Sequence, residues 1–512
     1  MSDTVISDTV LGLLADRPAA ARAVGAPGRE WMDSALLREQ MAATREFLNA
    51  VGIGRGDRLA MVVPNSPEMA AAFVSVAAAT SAAPLNPAYR DAEFTFYLED
   101  LKPKALLILA GLESPSRAVA ARLGIPLIEL VPDQSGPAGR FRLDASALPA
   151  AAAARGGPAQ ARDTALVLHT SGTTARPKIV PLSNANLAAS AHHISRHLAL
   201  GPGDVCLNIM PLFHIHGLIG CTLSSLAAGA GIAATPGFNA IRFLSQAEEV
   251  HPTWYSAVPT MHQAILVRAE RERERARALK LRFIRSSSSA MPSQVMAALE
   301  DVFGAPVVEA YGMTEAAHQM CSNPLPPKRR KPGSVGPAAG PEVAIMDADG
   351  HLLAAGAAGE VVIRGPDVTA GYADNPEANA RAFTHGWFRT GDEGRLDEDG
   401  YLWLSGRLKE MINRGGEKIS PLEVDAILMD HPAVAQVVTF AMPHELLGED
   451  VAAAIVLREG ESATERELRE FCSTRLAPFK VPRKVLFMNE IPKGATGKMQ
   501  RIGLAKKLGL VG

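Results

Sequence analysis

Along residues 35–110 the apolar positions switch repeatedly between helical and extended spacing. Leu36–Leu48 carries an amphipathic helical pattern, Leu59–Val63 is a short apolar run, a helix begins at Pro67, and Asp91–Leu101 forms another helix before the apolar run at 105–109. Short apolar strands separated by helices predict a parallel sheet wound with helices. The pattern returns over 240–315, where TWYSAV, LRFIRS and PVVEAY read as strands between helices such as PSQVMAALEDVF. Two wound αβ sheets are therefore expected. From about 332 to 406 the chain becomes Gly-rich and alternating, with turns at Asp347–Gly350 and Asp397–Gly400, which predicts a small antiparallel β subdomain. After GRLKEM, Ser420-Pro421-Leu422-Glu423 reads as a capping box with proline at the first helical position. Two strands (AVAQVVTFAM, DVAAAIVL) and a helix capped by Thr464 and Glu467 follow. A boundary near Lys409 divides an α/β N-terminal domain, 1–408, from a small α+β C-terminal domain, 409–512.

Composition narrows the function classes. The 512 residues hold 52 Lys+Arg against 54 Asp+Glu, a net charge of −2, which argues against nucleic acid as a partner. The four cysteines are widely spaced without Cys-x-x-Cys, so buried reduced thiols are expected rather than a zinc site or a disulfide framework. An acidic N-terminus without a basic region before an apolar run predicts no secretory leader. Leu218–Phe238 is long enough to span a bilayer but is rich in small and hydroxyl residues and broken by Pro236, so it reads as a buried helix followed by a strand. A cytoplasmic protein without a membrane partner is expected. Arg268–Arg285 mixes Glu and Arg and reads as a solvated helix face, and Lys328–Lys331 as an exposed loop.

The chemistry concentrates in a few segments. In LVLHTSGTTARPKIV an apolar run leads into Thr170, Ser171, Gly172, Thr173 and Thr174, then Lys178. Hydroxyls, backbone NH groups and one ammonium suit a polyphosphate, although the spacing is not that of a Walker loop. EAYGMTE places Tyr311, Thr314 and Glu315 after an apolar strand, at the end where wound sheets bind ligands. There the tyrosine offers a face to an aromatic base, the threonine a hydroxyl to phosphate, and the glutamate a hard oxygen to Mg2+. RTGDEG sets Asp392 before a hairpin, suited to a ribose diol.

In this order, with PLFHIHG at 211–217, GRLKEMINRGGEKI at 406–419 and PKGATGKMQR at 492–501, the motifs resemble the acyl-adenylate-forming superfamily of acyl-CoA synthetases, adenylation domains and luciferases over nearly the whole chain. The resemblance implies that a carboxylate attacks the α-phosphate of MgATP and that CoA then takes the acyl group. It implies a phosphate loop of Thr170–Thr174 and Lys178, catalytic roles for Lys498, Thr314 and His214, and Mg2+ at Glu315. It further implies adenine among Ser289, Ala290, Glu309, Ala310 and Tyr311, ribose at Asp392 with Arg407 near the nucleotide, and a mobile C-terminal domain hinged at Lys409. Ala175 and Ile179 stand where the superfamily usually has glycine; if either position required positive φ, its Cβ would cost about 1 kcal/mol or more.

FIRSSSSAMPSQV, VVEAYGMTEAAHQMCSNPLPP and KPGSVG are similar to the oxalate–CoA ligase branch. A two-carbon dianion needs a short pocket with donors for its far carboxylate, for which the resemblance offers His214, Ser289 and His318. If the chain is helical after Glu315, His318 lies one turn on and faces the same cavity; His216 is a further, more ambiguous candidate. The alternatives are malonate, a short- to medium-chain or aryl acid, a carrier-protein-loading enzyme, and a non-catalytic adenylate-binding protein.

Overall fold

The computed structural model describes residues 7–145, 148, 150–170, 177–493 and 499–510. Two wound sheets form the N-terminal domain. The first has seven strands in the order Phe141–Asp144, Leu127–Pro132, Ala105–Leu109, Arg58–Val62, Ser81–Pro84, Thr164–His169, Ile179–Ser183, parallel except at its two edges. The second has eight, in the order His318–Ser322, Val307–Met313, Phe283–Ser287, Trp254–Ala257, Val205–Asn208, Gly231–Ala234, Arg22–Gly25, Met32–Asp33, again with antiparallel edges.

The helix Pro67–Ala77 joins these layers. Every one of its residues is buried, and it touches Thr164–His169 of one sheet and Arg22–Gly25 and Gly231–Ala234 of the other. A helix apolar all round is stable only when covered on all sides. Proline at its start and the Ser66 hydroxyl accepting from the Met69 amide define where it begins. One continuous core consequently spans both sheets.

A five-stranded antiparallel sheet, Glu342–Met346 through Leu402–Arg407, follows. Lys331 fastens it to the preceding loop, its ammonium lying 2.6 Å from Asp397 and 2.7 Å from Asp399, while Arg330 binds Glu300 and the carbonyl of Val307. The basic run at 328–331 is therefore partly a structural clamp, not simply an exposed loop.

The C-terminal part has its own sheet and separate apolar clusters on the two faces. Thr464 and Glu467 form a full capping box. At Ser420 only half of the expected box is made: Ser420 accepts from the Glu423 amide, but the Glu423 carboxylate turns to Lys480 at 2.7 Å. Among the described residues no helix is long and apolar enough to cross a membrane. The segment 218–238 begins inside a π-helix, His216–Leu223, and contains the strand Gly231–Ala234.

The chain does not enter an α-helix after Glu315. Thr314–Ala316 is a single 3-10 turn, Ala317 and His318 have φ of 46° and 111°, and His318 opens a strand that returns antiparallel along Val307–Met313. The register shifts between Tyr311 and Gly312, where a Cβ on Gly312 would sit 1.6 Å from the His318 carbonyl oxygen. Backbone cannot yield there as a flexible side chain would. Gly312→Ala is expected to separate the two strands and to destabilise the protein by at least ~2 kcal/mol, read as a lower melting temperature; an unchanged melting temperature would show that the edge strand has no such constraint.

Candidate active site

Thr170 follows the strand Thr164–His169 at its carboxyl end. Its amide donates to the Lys178 carbonyl at 2.9 Å, and its hydroxyl accepts from the Lys178 amide at 3.2 Å, closing the base of the Ser/Thr/Gly loop. Ser171, Gly172, Thr173, Thr174 and Ala175 lie outside the described residues, as does Lys498, whose loop is closed by a bridge between Lys493 and Met499. Ile179 is extended, paired with His169 and buried, so its Cβ carries no positive-φ cost.

Lys178 and Glu315 meet around a residue that the sequence motifs did not single out. The Lys178 ammonium lies 4.2 Å over the ring of Tyr372, whose hydroxyl donates to Glu315 Oε1 at 2.9 Å. Burial raises the Glu315 carboxyl above its ordinary value, opposed by Tyr372, Lys178 and Arg407. Burial likewise lowers Lys178, against the pull of Glu315, and the charges of Lys409 and Arg381 lower it further. A buried, incompletely compensated carboxylate beside an ammonium fits a divalent cation bound together with a polyphosphate. Tyr372 sits in a Gly-Tyr pair of a loop that ties back to the strand through Ala373 donating to Ile179 O at 3.0 Å, a placement with no local signature.

Tyr311 is buried and donates a short hydrogen bond to Asp392, and Arg407 lies opposite Asp392 in the next strand, its Nε 3.4 Å from Oδ1. Burial pushes the Tyr311 phenol up, with the Asp392 charge adding to it. The structure thus brings Tyr311, Asp392 and Arg407 together. Glu309 and Ala310 precede Tyr311 on the same strand, both buried; the Glu309 carboxylate accepts from the Gly333 amide at 3.3 Å.

Thr314 and His214 line one cleft between the two sheets, together with Asn86, Tyr97, Leu168 and His169. His214 Nδ1 also accepts from the His216 amide at 3.3 Å. His318 lies elsewhere, in a buried polar cluster. Its ring stacks on His216 at 4.9 Å and receives Arg285 Nη1 at Nε2, 3.1 Å away; Arg285 Nη2 donates to Gln319 Oε1 at 3.0 Å. His216 Nε2 is 2.6 Å from the Ser256 hydroxyl and its Nδ1 3.2 Å from the Ser288 hydroxyl. Gly220, in the π-helix, makes room for the stack: a Cβ there would lie 2.5 Å from His318 Nε2.

Two expectations change here. Ser289 is exposed and its hydroxyl donates to its neighbour's carbonyl, so Ser288, not Ser289, is the hydroxyl bonded to His216. Ser289 and Ala290 are both exposed. Arg285 is not on a solvated helix face. It is 0% exposed in the strand Phe283–Ser287. The reading of LRFIRS as a strand is the one that holds for Arg285, and all five residues of Phe283–Ser287 are buried.

The chain matches the AMP-binding enzyme family model over residues 14–373 and the AMP-binding enzyme C-terminal domain over 423–498. It is 46% identical to a probable CoA ligase, CCL9, of Humulus lupulus, covering 96% of this chain and 95% of that protein. It is 44% identical to the oxalate–CoA ligase of Arabidopsis thaliana, covering 97% and 98% respectively. Among solved structures, ATP-bound MatB from Rhodopseudomonas palustris aligns with a TM-score of 0.87 at 29% identity, covering 98% of each chain.

Glu309 yields a test by titration. Burial pushes its carboxyl up to about 8, only partly opposed by the Gly333 amide and Arg330. The folded protein therefore holds this proton more tightly than the unfolded chain does. The stabilisation is complete below the unfolded value of about 4.5 and is lost as pH rises through about 8. Glu309→Gln is expected to remove this dependence, so that the variant's melting temperature gains on wild type between about pH 5 and 8 and the difference levels off above that; a constant difference over that range would mean that Glu309 does not titrate there.

Proposed function

Because the chain belongs to the AMP-binding enzyme family, we propose that it is an ATP-dependent acid–thiol ligase that joins oxalate to coenzyme A. In the first step an oxalate oxygen attacks the α-phosphorus of ATP, and the bond from that phosphorus to pyrophosphate breaks. In the second the CoA sulfur, having lost its proton, attacks the acyl carbon, and AMP leaves with the bonding electron pair. The kinship with CoA ligases supports this reaction class.

The residues divide the work as follows. Lys178 and Thr170, with Ser171–Thr174, hold the phosphates, and Thr314 hydrogen-bonds phosphate at the cleft it shares with His214. Glu315 holds Mg2+, which when bound offsets charge between the phosphates. Tyr311, with Glu309, Ala310, Ser289 and Ala290, flanks adenine; Asp392 accepts from the ribose hydroxyls, and Arg407 steadies Asp392. Lys498 meets the developing charge as two anions approach, which is where a fixed donor lowers the barrier most. The C-terminal domain turns about Lys409 between steps, removing Lys498 and admitting the thiol.

The observation that favours oxalate is the filling of the space behind Ser288. His216, His318, Arg285, Ser256 and Gln319 occupy it, all buried and all polar. A fatty acid placed there would strand those donors against hydrocarbon, whereas a second carboxylate bonded directly to the reacting one would use them.

Pyrophosphate release over oxalate, malonate, acetate, hexanoate and benzoate tests the reading, with oxalate expected to give the highest kcat/KM. A preference for hexanoate would reject oxalate and leave the ligase class standing; CoA-independent retention of the acyl group on a carrier protein would reject the thiol assignment. His318→Ala should raise the oxalate KM about 10- to 150-fold, the value of a charge-assisted hydrogen bond, with little change in the ATP KM.

Lys498→Ala provides a separate check. Loss of an oriented transition-state donor should cut adenylation by at least ~100-fold. Thioester formation from supplied oxalyl-adenylate should survive, and equal loss of both half-reactions would overturn the role given to Lys498.

A further inference from the structure

Arg285 is a fully buried guanidinium whose hydrogen bonds all run to neutral groups. Nη1 donates to His318 Nε2, standing also 3.4 Å from the Ser256 hydroxyl and 3.5 Å from His216 Nε2, and Nη2 donates to Gln319. Its Nε has no hydrogen-bond partner among the described residues. Among the described residues no carboxylate is paired with it, and burial holds the neighbouring Cys206 thiol in its neutral form. Desolvation lowers it to about 10, which still leaves it charged at neutral pH. An uncompensated buried charge is strongly unfavourable, and a structural arginine would normally be paired.

The hydrogen bonds also have a direction. A guanidinium only donates, so the imidazole nitrogen facing it is the one without hydrogen. That places the ring hydrogen of His318 on Nδ1. His216 Nε2 faces the Ser256 hydroxyl, which accepts from Arg285 Nη1 and donates to the Arg285 carbonyl, and His216 Nδ1 lies 3.2 Å from the Ser288 hydroxyl at the half-buried edge of the cluster.

We propose that Arg285 is the positioning residue that makes this site select acids bearing a second anionic group, by supplying the buried positive charge behind His216 and His318 and by holding the His318 ring as an Nδ1–H donor. The inference rests on reading this cluster as the acid pocket. In a low-dielectric interior a charge acts through an intervening ring with little screening, so the guanidinium need not touch the substrate to favour a dianion. Acetate, which ends in a methyl group where oxalate has its second carboxylate, gains nothing from it.

The test compares oxalate with acetate in pyrophosphate release by the full-length enzyme. Arg285→Met is expected to lower the ratio of kcat/KM for oxalate to that for acetate about 10- to 100-fold, with most of the change in the oxalate KM. Arg285→Lys, which keeps the charge, should retain the preference for oxalate. Gln319→Glu leaves Arg285 in place but sets a carboxylate against Nη2, and should lower the ratio as Arg285→Met does. If either neutralising variant loses oxalate and acetate turnover in parallel, or keeps the wild-type ratio, Arg285 is structural only and the proposal fails. Should neither fold, Arg285→Lys decides alone: loss of the oxalate preference with the charge retained overturns the inference. A wild-type enzyme that prefers acetate would instead remove the oxalate reading itself.

Discussion

The site depends on one reversal of the backbone, the return of His318–Ser322 along Val307–Met313. The parallel sheet delivers Tyr311, Thr314 and Glu315 to its carboxyl edge, as wound sheets do. The left-handed Ala317 and His318 then turn the chain back within a few residues, so that Glu315, under Tyr372, and His318, beside Arg285, come from one continuous segment. Two glycines permit it. Gly312 lets the backbones close at the register shift, and Gly220 leaves the space into which the His318 ring stacks. Side chains at either position would meet atoms held by the sheet or by the π-helix.

Around that reversal the protein keeps two groups of buried charge. Glu315 with Lys178 and Tyr372 forms one, and Arg285 with its two histidines forms the other. Each leaves part of its charge uncompensated by the chain, at a cost in folding stability. Native proteins keep such costs where a ligand later supplies the opposite charge, and on the function proposed here MgATP and the second carboxylate of the acid do so. Ile179, for its part, does not need the freedom of glycine: it is an ordinary strand residue paired with His169.

Wound sheets, the antiparallel β subdomain and the separate C-terminal sheet were legible in the sequence, because strand and helix periods report which faces are buried and those faces define the layers. The partners Tyr311, Asp392 and Arg407 were legible too, each sitting in a compact motif. Tertiary structure alone decided what surrounds His318. Its neighbours Arg285, His216, Ser256, Ser288 and Gln319 come from four separate segments. Helical spacing was a reasonable expectation after Glu315, yet the sheet edge was free to pair and a strand formed there instead. Arg285 had the composition of its charged surroundings, and only the sheet determined that its side chain points inward. A sequence records local period and residue chemistry, whereas the burial of a charge is settled by which distant segments close over it.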